Sequence, residues 1–234
     1  METVFQRLEW LIGKDKVADL ATKSVLVFGC GGVGSYAIEA LARGGIGRLV
    51  IVDGDVVAVS NINRQLIALP ETVGMRKVQA EYNRVKQIRP DMVVEAHDMV
   101  YTKDIYPEFI EEAKVDFIVD AIDMVTAKIQ IAEEAKRLHI PMIMSMGCGN
   151  KLHPELLTLV DIKKTHTCRL ARVMRRELRK RQITSLPVVY SPEPVITPVR
   201  DEDSKSPGTI SVMPSVAGLI MAGYVLRQLE GLDK

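Results

Sequence analysis

The chain is short of cysteine. Its 234 residues hold three, Cys30, Cys148 and Cys168, far apart and never in a C-x-x-C pair. That excludes a disulfide framework and a four-cysteine zinc site built from this chain alone, so no zinc is expected. An apolar h-region after Met1 is also lacking, so secretion is not indicated and a cytoplasmic protein is expected. No internal repeat of fixed period is present. Nor is there an excess of charge: the formal net charge is +1. Taken whole, that number excludes a strongly charged partner. Apolar residues at 47% and charged residues at 26% exclude wholesale disorder.

The near-zero charge does not survive division of the chain. Residues 1–150 hold 17 Lys and Arg against 21 Asp and Glu, a net of −4. Residues 151–234 hold 14 against 9, a net of +5. Asymmetry of this kind is itself a partner signal. It divides the chain into an acidic-leaning region, 1–150, and a basic region, 151–234, within one integrated domain.

The first region alternates strand and helix signals. Strands are expected at Ser24–Phe28, Arg48–Asp53, Met92–Ala96, Asp116–Ala121 and Pro141–Met146. Helices are expected at Val33–Arg43, Gly74–Arg89 (stopped by Pro90), Ile105–Ala113 and Thr126–Leu138. This pattern predicts an α/β fold, a doubly wound, mostly parallel sheet with helices on both faces. In the second region Leu156–Ile162 and Val188–Tyr190 read as strands and Thr167–Arg181 as a basic helix. Ser191–Gly208 carries four prolines, with Asp201, Glu202 and Asp203 between the last two, and is expected to be a mobile loop. Gly208–Leu226 runs 19 residues without a charge, close to the length that crosses a bilayer. Pro214 interrupts it and small polar residues dilute it, so a packed helix is preferred and no membrane span is expected.

Chemistry concentrates in three places. Gly29-Cys30-Gly31-Gly32-Val33-Gly34 fits G-x-G-x-x-G between the first strand and the first helix of the sheet. Such a loop lets phosphate approach the backbone at a helix N-terminus. Asp53 ends the next strand, 19 residues after Gly34, where an acid reaches a ribose hydroxyl. Arg64, Lys77 and Asp123 then fall near strand ends that converge on one crevice. Two cations and a carboxylate there suit a triphosphate with Mg²⁺ better than a nicotinamide. Taken singly, each residue reads as a solvated side chain, and Asp123 as a helix cap.

The run Gly29, Gly31, Gly32 and Gly34, then Asp53, then Asn61-x-Asn63-Arg64-Gln65, then Lys77, then Asp120-x-x-Asp123, resembles the E1-like adenylating enzymes of the ThiF/MoeB/HesA group. The likeness spans about residues 5–150, and the Ser215–Leu229 segment is similar to the C-terminal helix of that family. It implies a Rossmann-like homodimer that binds ATP with Mg²⁺ and converts a carboxylate into an acyl-adenylate. By this resemblance Asp53 holds the ribose, with Asp55, Asn61, Asn63 and Gln65 around the nucleotide. Arg64 and Lys77 hold phosphates and Asp123 holds Mg²⁺. Arg7, within Phe5-Gln6-Arg7-Leu8-Glu9, matches the arginine that crosses to the partner subunit's γ-phosphate.

Within that group the zinc-binding cysteine pairs of the ThiF and MoeB branches are missing. Gly147–Leu152, Asp161–Thr165 and Leu170–Leu178 instead resemble the branch that dehydrates N6-threonylcarbamoyladenosine in tRNA. The charge pattern agrees. From Lys163 to Arg181 there are nine cations against one acid, Glu177. Leu170, Val173, Met174 and Leu178 recur at helical spacing and predict a core face. Lys163, Lys164, Arg169, Arg172, Arg175, Arg176 and Arg179 are then candidates for contact with an RNA backbone. A solvated basic face is the plainer reading of the same charges. The expected reaction needs positioning and charge neutralisation rather than a protein nucleophile. Cys148 and Cys168 stay open as thioester or persulfide sites, Cys168 through its cationic surroundings. Sulfur-transfer proteins are candidate associates. The main alternative is an adenylyltransferase for the Gly-Gly tail of a ubiquitin-like sulfur carrier. An NAD-dependent oxidoreductase and a non-enzymatic RNA-binding module are the others.

Overall fold

In the computed structural model, residues 2–197, 199 and 207–233 are described. Seven strands form one sheet in the order β3-β2-β1-β4-β5-β7-β6. They are β1 (Ser24–Phe28), β2 (Arg48–Val52), β3 (Val93–His97), β4 (Phe117–Asp120), β5 (Met142–Ser145), β6 (Thr158–Asp161) and β7 (Pro187–Tyr190). All pairings are parallel except β6 with β7. The strands of the basic region therefore extend the sheet begun by the nucleotide region.

The central strands are apolar without a break because both faces are covered. Val25 and Val27 of β1 enter one apolar layer, and Leu26 and Phe28 enter the other. Helices α3 (Gly34–Arg43) and α4 (Lys77–Ile88) cover the first face with α8 (Val212–Leu229). Helices α5 (Phe109–Ala113), α6 (Val125–Leu138) and α7 (Arg169–Lys180) cover the second. Two short helices precede the sheet, α1 (Gln6–Ile12) and α2 (Lys14–Leu20). Neither is in the sequence reading, although Leu8, Ile12, Val17 and Leu20 carry a helical apolar spacing onto the core.

Three expected elements differ in extent. The helix expected from Gly74 begins at Lys77, because Gly74 turns with φ +87° and Arg76 is extended in a bridge to Val56. The helix expected from Ile105 begins at Phe109, since Pro107 disfavours helix at the residue before it. Pro214 does not interrupt the uncharged segment. It lies in the first turn of α8, where a missing N–H breaks no intrahelical bond. At 18 residues α8 is long and apolar enough to cross a membrane. In this fold Met213, Ala217, Met221 and Val225 are buried from it in the first apolar layer. Of the proline-rich loop, 191–197 has no regular structure, whereas 198 and 200–206 lie outside the described residues.

Candidate active site

The sheet fixes where a ligand can sit. β1 pairs with β2 on one side and β4 on the other, so the chain reverses its winding between β1 and β4. At the carboxyl ends of those strands lies a cavity of about 430 Å³, the expected place for a ligand in such a sheet. Gly29 opens the loop at its floor with φ +94°, a backbone conformation side chains rarely adopt. Gly34 starts α3 so close to the preceding turn that a Cβ there would lie 1.7 Å from the Gly29 carbonyl oxygen. Gly31 and Gly32 line the cavity itself.

Asp53 follows β2. Its carboxylate accepts from the Cys30 N–H at 2.7 Å and the Asp55 N–H at 2.8 Å. This holds the acid against the glycine loop. Burial pushes its pKa up, opposed first by the nearby charge of Lys77. Lys77 is buried at the first turn of α4, with Nζ 2.7 Å from Asp55 Oδ2 and 4.0 Å from Asp53 Oδ1. Arg64 is half-buried and donates to the Ser60 carbonyl at 2.7 Å and to Asn63 Oδ1 at 3.0 Å. Asn61 caps its own turn by accepting from Ala58 N–H at 3.0 Å. Gln65 Oε1 is buried without a protein partner. Asn63 is not a wall residue. Its Nδ2 donates to the Thr209 carbonyl at 3.0 Å and so ties this turn to the entry into α8.

Asp123 reaches the cavity from the turn after β4. Among the described residues its carboxylate has no hydrogen-bond partner, and it does not cap α6. No cluster of three or more His, Cys, Asp or Glu suited to a metal occurs among them either. Mg²⁺ needs no such cluster. It is commonly held by one or two carboxylates, substrate phosphates and water. One free carboxylate lining the same cavity as Lys77 and Arg64 fits that requirement.

The structure brings Asp53, Asp55, Asn61, Arg64, Gln65, Lys77 and Asp123 to one cavity. Arg7 is exposed on α1 and does not line it. The cationic candidates separate into three kinds. Arg169, Arg172, Arg176 and Arg179 are exposed along one side of α7, opposite buried Ala171, Met174 and Leu178. Arg175 instead turns inward and donates to the Thr165 carbonyl at 2.7 Å and to its hydroxyl. It ties α7 to the turn before it and is half-buried, while still bordering a surface groove with Arg172, Arg176 and Arg179. Lys163 and Lys164 follow the end of β6, opposite the first residue of β7, at the amino rim of the sheet and away from the cavity.

Neither candidate thiol is a ready nucleophile. Cys168 is buried beneath the start of α7, so its cationic neighbours in sequence do not expose it. Cys148 lines the cavity, but burial pushes its thiol up to about 11. Sequence reasoning missed an apolar wall of Phe28, Val52, Met99, Val100 and Tyr101. It also missed Lys128, fully buried on α6 with Asp120. The signal for Lys128 was a lysine in the apolar stripe that runs through Ile131, Ala132 and Ala135.

A doubly wound sheet with a glycine loop, a strand-end acid and two cations lining the cavity at its switch point defines a nucleotide-binding α/β enzyme. The chain belongs to the ThiF family, whose description matches residues 5–234. It is 40% identical to the tRNA threonylcarbamoyladenosine dehydratase of Bacillus subtilis (strain 168), over 96% of this chain and 94% of that protein. It is 33% identical to the protein of the same name from Escherichia coli (strain K12), over 88% and 78%. The crystal structure of the E. coli tRNA N6-threonylcarbamoyladenosine dehydratase in complex with ATP superposes with a TM-score of 0.89 at 28% identity, covering 97% and 94%.

Proposed function

We propose that the protein is an ATP-dependent dehydratase of N6-threonylcarbamoyladenosine in tRNA. The observation that carries this is the near full-length likeness to such dehydratases together with the cavity just described. Asp53 orients the ribose of ATP, and the apolar wall takes the adenine. Arg64 and Lys77 neutralise the phosphates, and Asp123 holds Mg²⁺. When bound, that ion screens the phosphate charge that repels an incoming carboxylate.

The threonyl carboxylate attacks the α-phosphorus, and the bond to pyrophosphate breaks. Lys77 and Arg64 stabilise the charge that moves onto pyrophosphate. A nucleophilic atom of the substrate's own carbamoyl group then attacks the activated carbonyl carbon. The ring closes, a carbamoyl proton is released and AMP departs with one carboxylate oxygen. The net change in the nucleoside is the loss of one water. No step uses a protein thiol, in keeping with the burial of Cys168 and the raised pKa of Cys148.

The exposed face of α7 takes the tRNA backbone. α6 and α7 run side by side in the same direction: Lys136 near the end of α6 donates to the carbonyls of Arg181 and Gln182 just beyond α7. Arg169 and Arg172 therefore stand at the cavity end of the sheet and Arg179 at the far end. The enzyme acts as a homodimer in which Arg7 reaches the nucleotide of the partner subunit. The deciding experiment is mass spectrometry of tRNA nucleosides after incubation with ATP and Mg²⁺. Loss of one water from the threonylcarbamoyl nucleoside is expected. An unchanged nucleoside, with pyrophosphate exchange stimulated by a ubiquitin-like carrier protein, would overturn the assignment.

A further inference from the structure

We infer that Lys128 is the positioning residue that fixes Asp123 at the phosphate end of the cavity. Its Nζ donates to Asp120 Oδ1 at 3.0 Å and to the Ile122 carbonyl at 3.0 Å. Its backbone N–H donates to the Met124 carbonyl at 3.0 Å. The carbonyl before Asp123 is thus held by the Lys128 side chain, and the carbonyl after it by the first main-chain bond of α6, which does not depend on the lysine. Asp120 Oδ1 also accepts from the Ile122 N–H at 3.2 Å, which closes the turn from the strand side. Asp123 has no hydrogen bond of its own among the described residues, so its position depends on this staple.

The pair is a poor device for stability alone. Both side chains are wholly buried, and Asp120 Oδ2 has no partner among the described residues. Desolvation of two charges offsets much of their attraction, and apolar residues of similar volume often do as well. What an apolar pair could not do is grip the Ile122 carbonyl. The turn must also be placed closely, because it abuts the glycine loop: a Cβ on Gly29 would lie 3.0 Å from the Ala121 carbonyl oxygen. A slack turn would move Asp123 and disturb that contact together. Lys128 therefore acts on phosphate and metal through Asp123 without touching either.

This rests on the reading of the cavity as an ATP–Mg²⁺ site. The test is equilibrium binding of a fluorescent ATP analogue to the full chain, titrated with Mg²⁺. Lys128→Met is combined with Asp120→Asn so that no lone charge is buried, and folding is checked by circular dichroism. The double variant is expected to bind the analogue without Mg²⁺ as the unmutated protein does. Its Mg²⁺ requirement should rise roughly 10–100-fold, as when a supporting partner of a metal ligand is removed. Adding Asp123→Ala should then change little more, because both act through one group. An unmutated Mg²⁺ requirement in the double variant, or a full additional effect of Asp123→Ala, would overturn the inference while leaving the ATP site in place. Failure of the unmutated protein to bind the analogue would overturn the reading of the site and this inference with it.

Discussion

Lys77 Nζ lies 2.7 Å from a carboxylate oxygen of Asp55, whose side chain is 68% exposed. A buried cation is thus held on an acid at the rim of the cavity, and in the proposed reaction an arriving phosphate would replace one anionic partner with another. The pair with Asp55 holds Lys77 in place, so under the proposed mechanism little reorganisation would be needed as charge develops on pyrophosphate. Lys77→Ala should lower AMP formation by roughly 10²–10³-fold, the usual cost of losing one placed charge-stabilising group. Lys77→Arg should not restore it, since a planar guanidinium does not fit a buried site shaped for a point charge. Pyrophosphate release measured beside a circular dichroism spectrum checks both. Undiminished turnover of a folded Lys77→Ala variant would remove Lys77 from the site.

Lys128 and Asp120 give a stability prediction separate from their placement of Asp123. Truncating Lys128 to Ala leaves the Asp120 carboxylate buried with neither oxygen paired to a cation. The expected loss is about 3–5 kcal/mol, whereas the paired change Lys128→Met with Asp120→Asn should cost much less. Urea denaturation of the two variants distinguishes them. Equal losses would mean that the ion pair, and not the stranded charge, sets the effect.

The nucleotide region was legible because its signals are local. The glycine loop, Asp53 at a strand end and the apolar runs of β1, β2, β4 and β5 each follow from spacing within a few residues. What escaped depends on chain folded from elsewhere. Thr209 and Pro214 join the cavity wall only because α8 returns to pack beside α3. Arg175 looks like its neighbours in sequence, and only the return of Thr165 beneath α7 turns it inward. Lys163 and Lys164 share the charge of α7, but the antiparallel course of β6 carries them to the opposite rim. Charge counted along the chain could not separate these cases, because a helix end and a strand reversal lie between them.

The cations of α7 should therefore differ in kind when changed. Reversing Arg172, Arg176 and Arg179 to Glu should weaken tRNA binding and flatten its dependence on salt, because fewer counterions are released from the phosphates. Arg175→Ala should instead lower stability by about 1.5–3 kcal/mol, the usual worth of a hydrogen bond to a charged group, and leave the salt slope unchanged. Filter binding across a salt series, with thermal melts of the same proteins, reads both effects. An unaltered affinity in the triple variant would place the RNA surface elsewhere.

Glu81 gives a pH dependence of definite sign. Its side chain is wholly buried on α4, and neither oxygen has a partner among the described residues. Burial pushes its pKa well above 4.5, with Glu39 and Asp53 adding to the shift and Arg84 opposing it. The folded protein keeps a proton that the unfolded chain gives up above 4.5. Holding it costs about 1.4 kcal/mol for each pH unit above that value, up to the folded pKa. The Glu81 contribution to stability is thus fully present below 4.5 and is lost as pH rises. Glu81→Gln cannot ionise and should abolish this loss. The variant should gain on the unmutated protein between pH 5 and pH 8 in urea denaturation. Any constant effect of the buried amide cancels between the two pH values. The same stability difference at both would show that Glu81 is ionised in the folded protein at pH 5 as well as at pH 8.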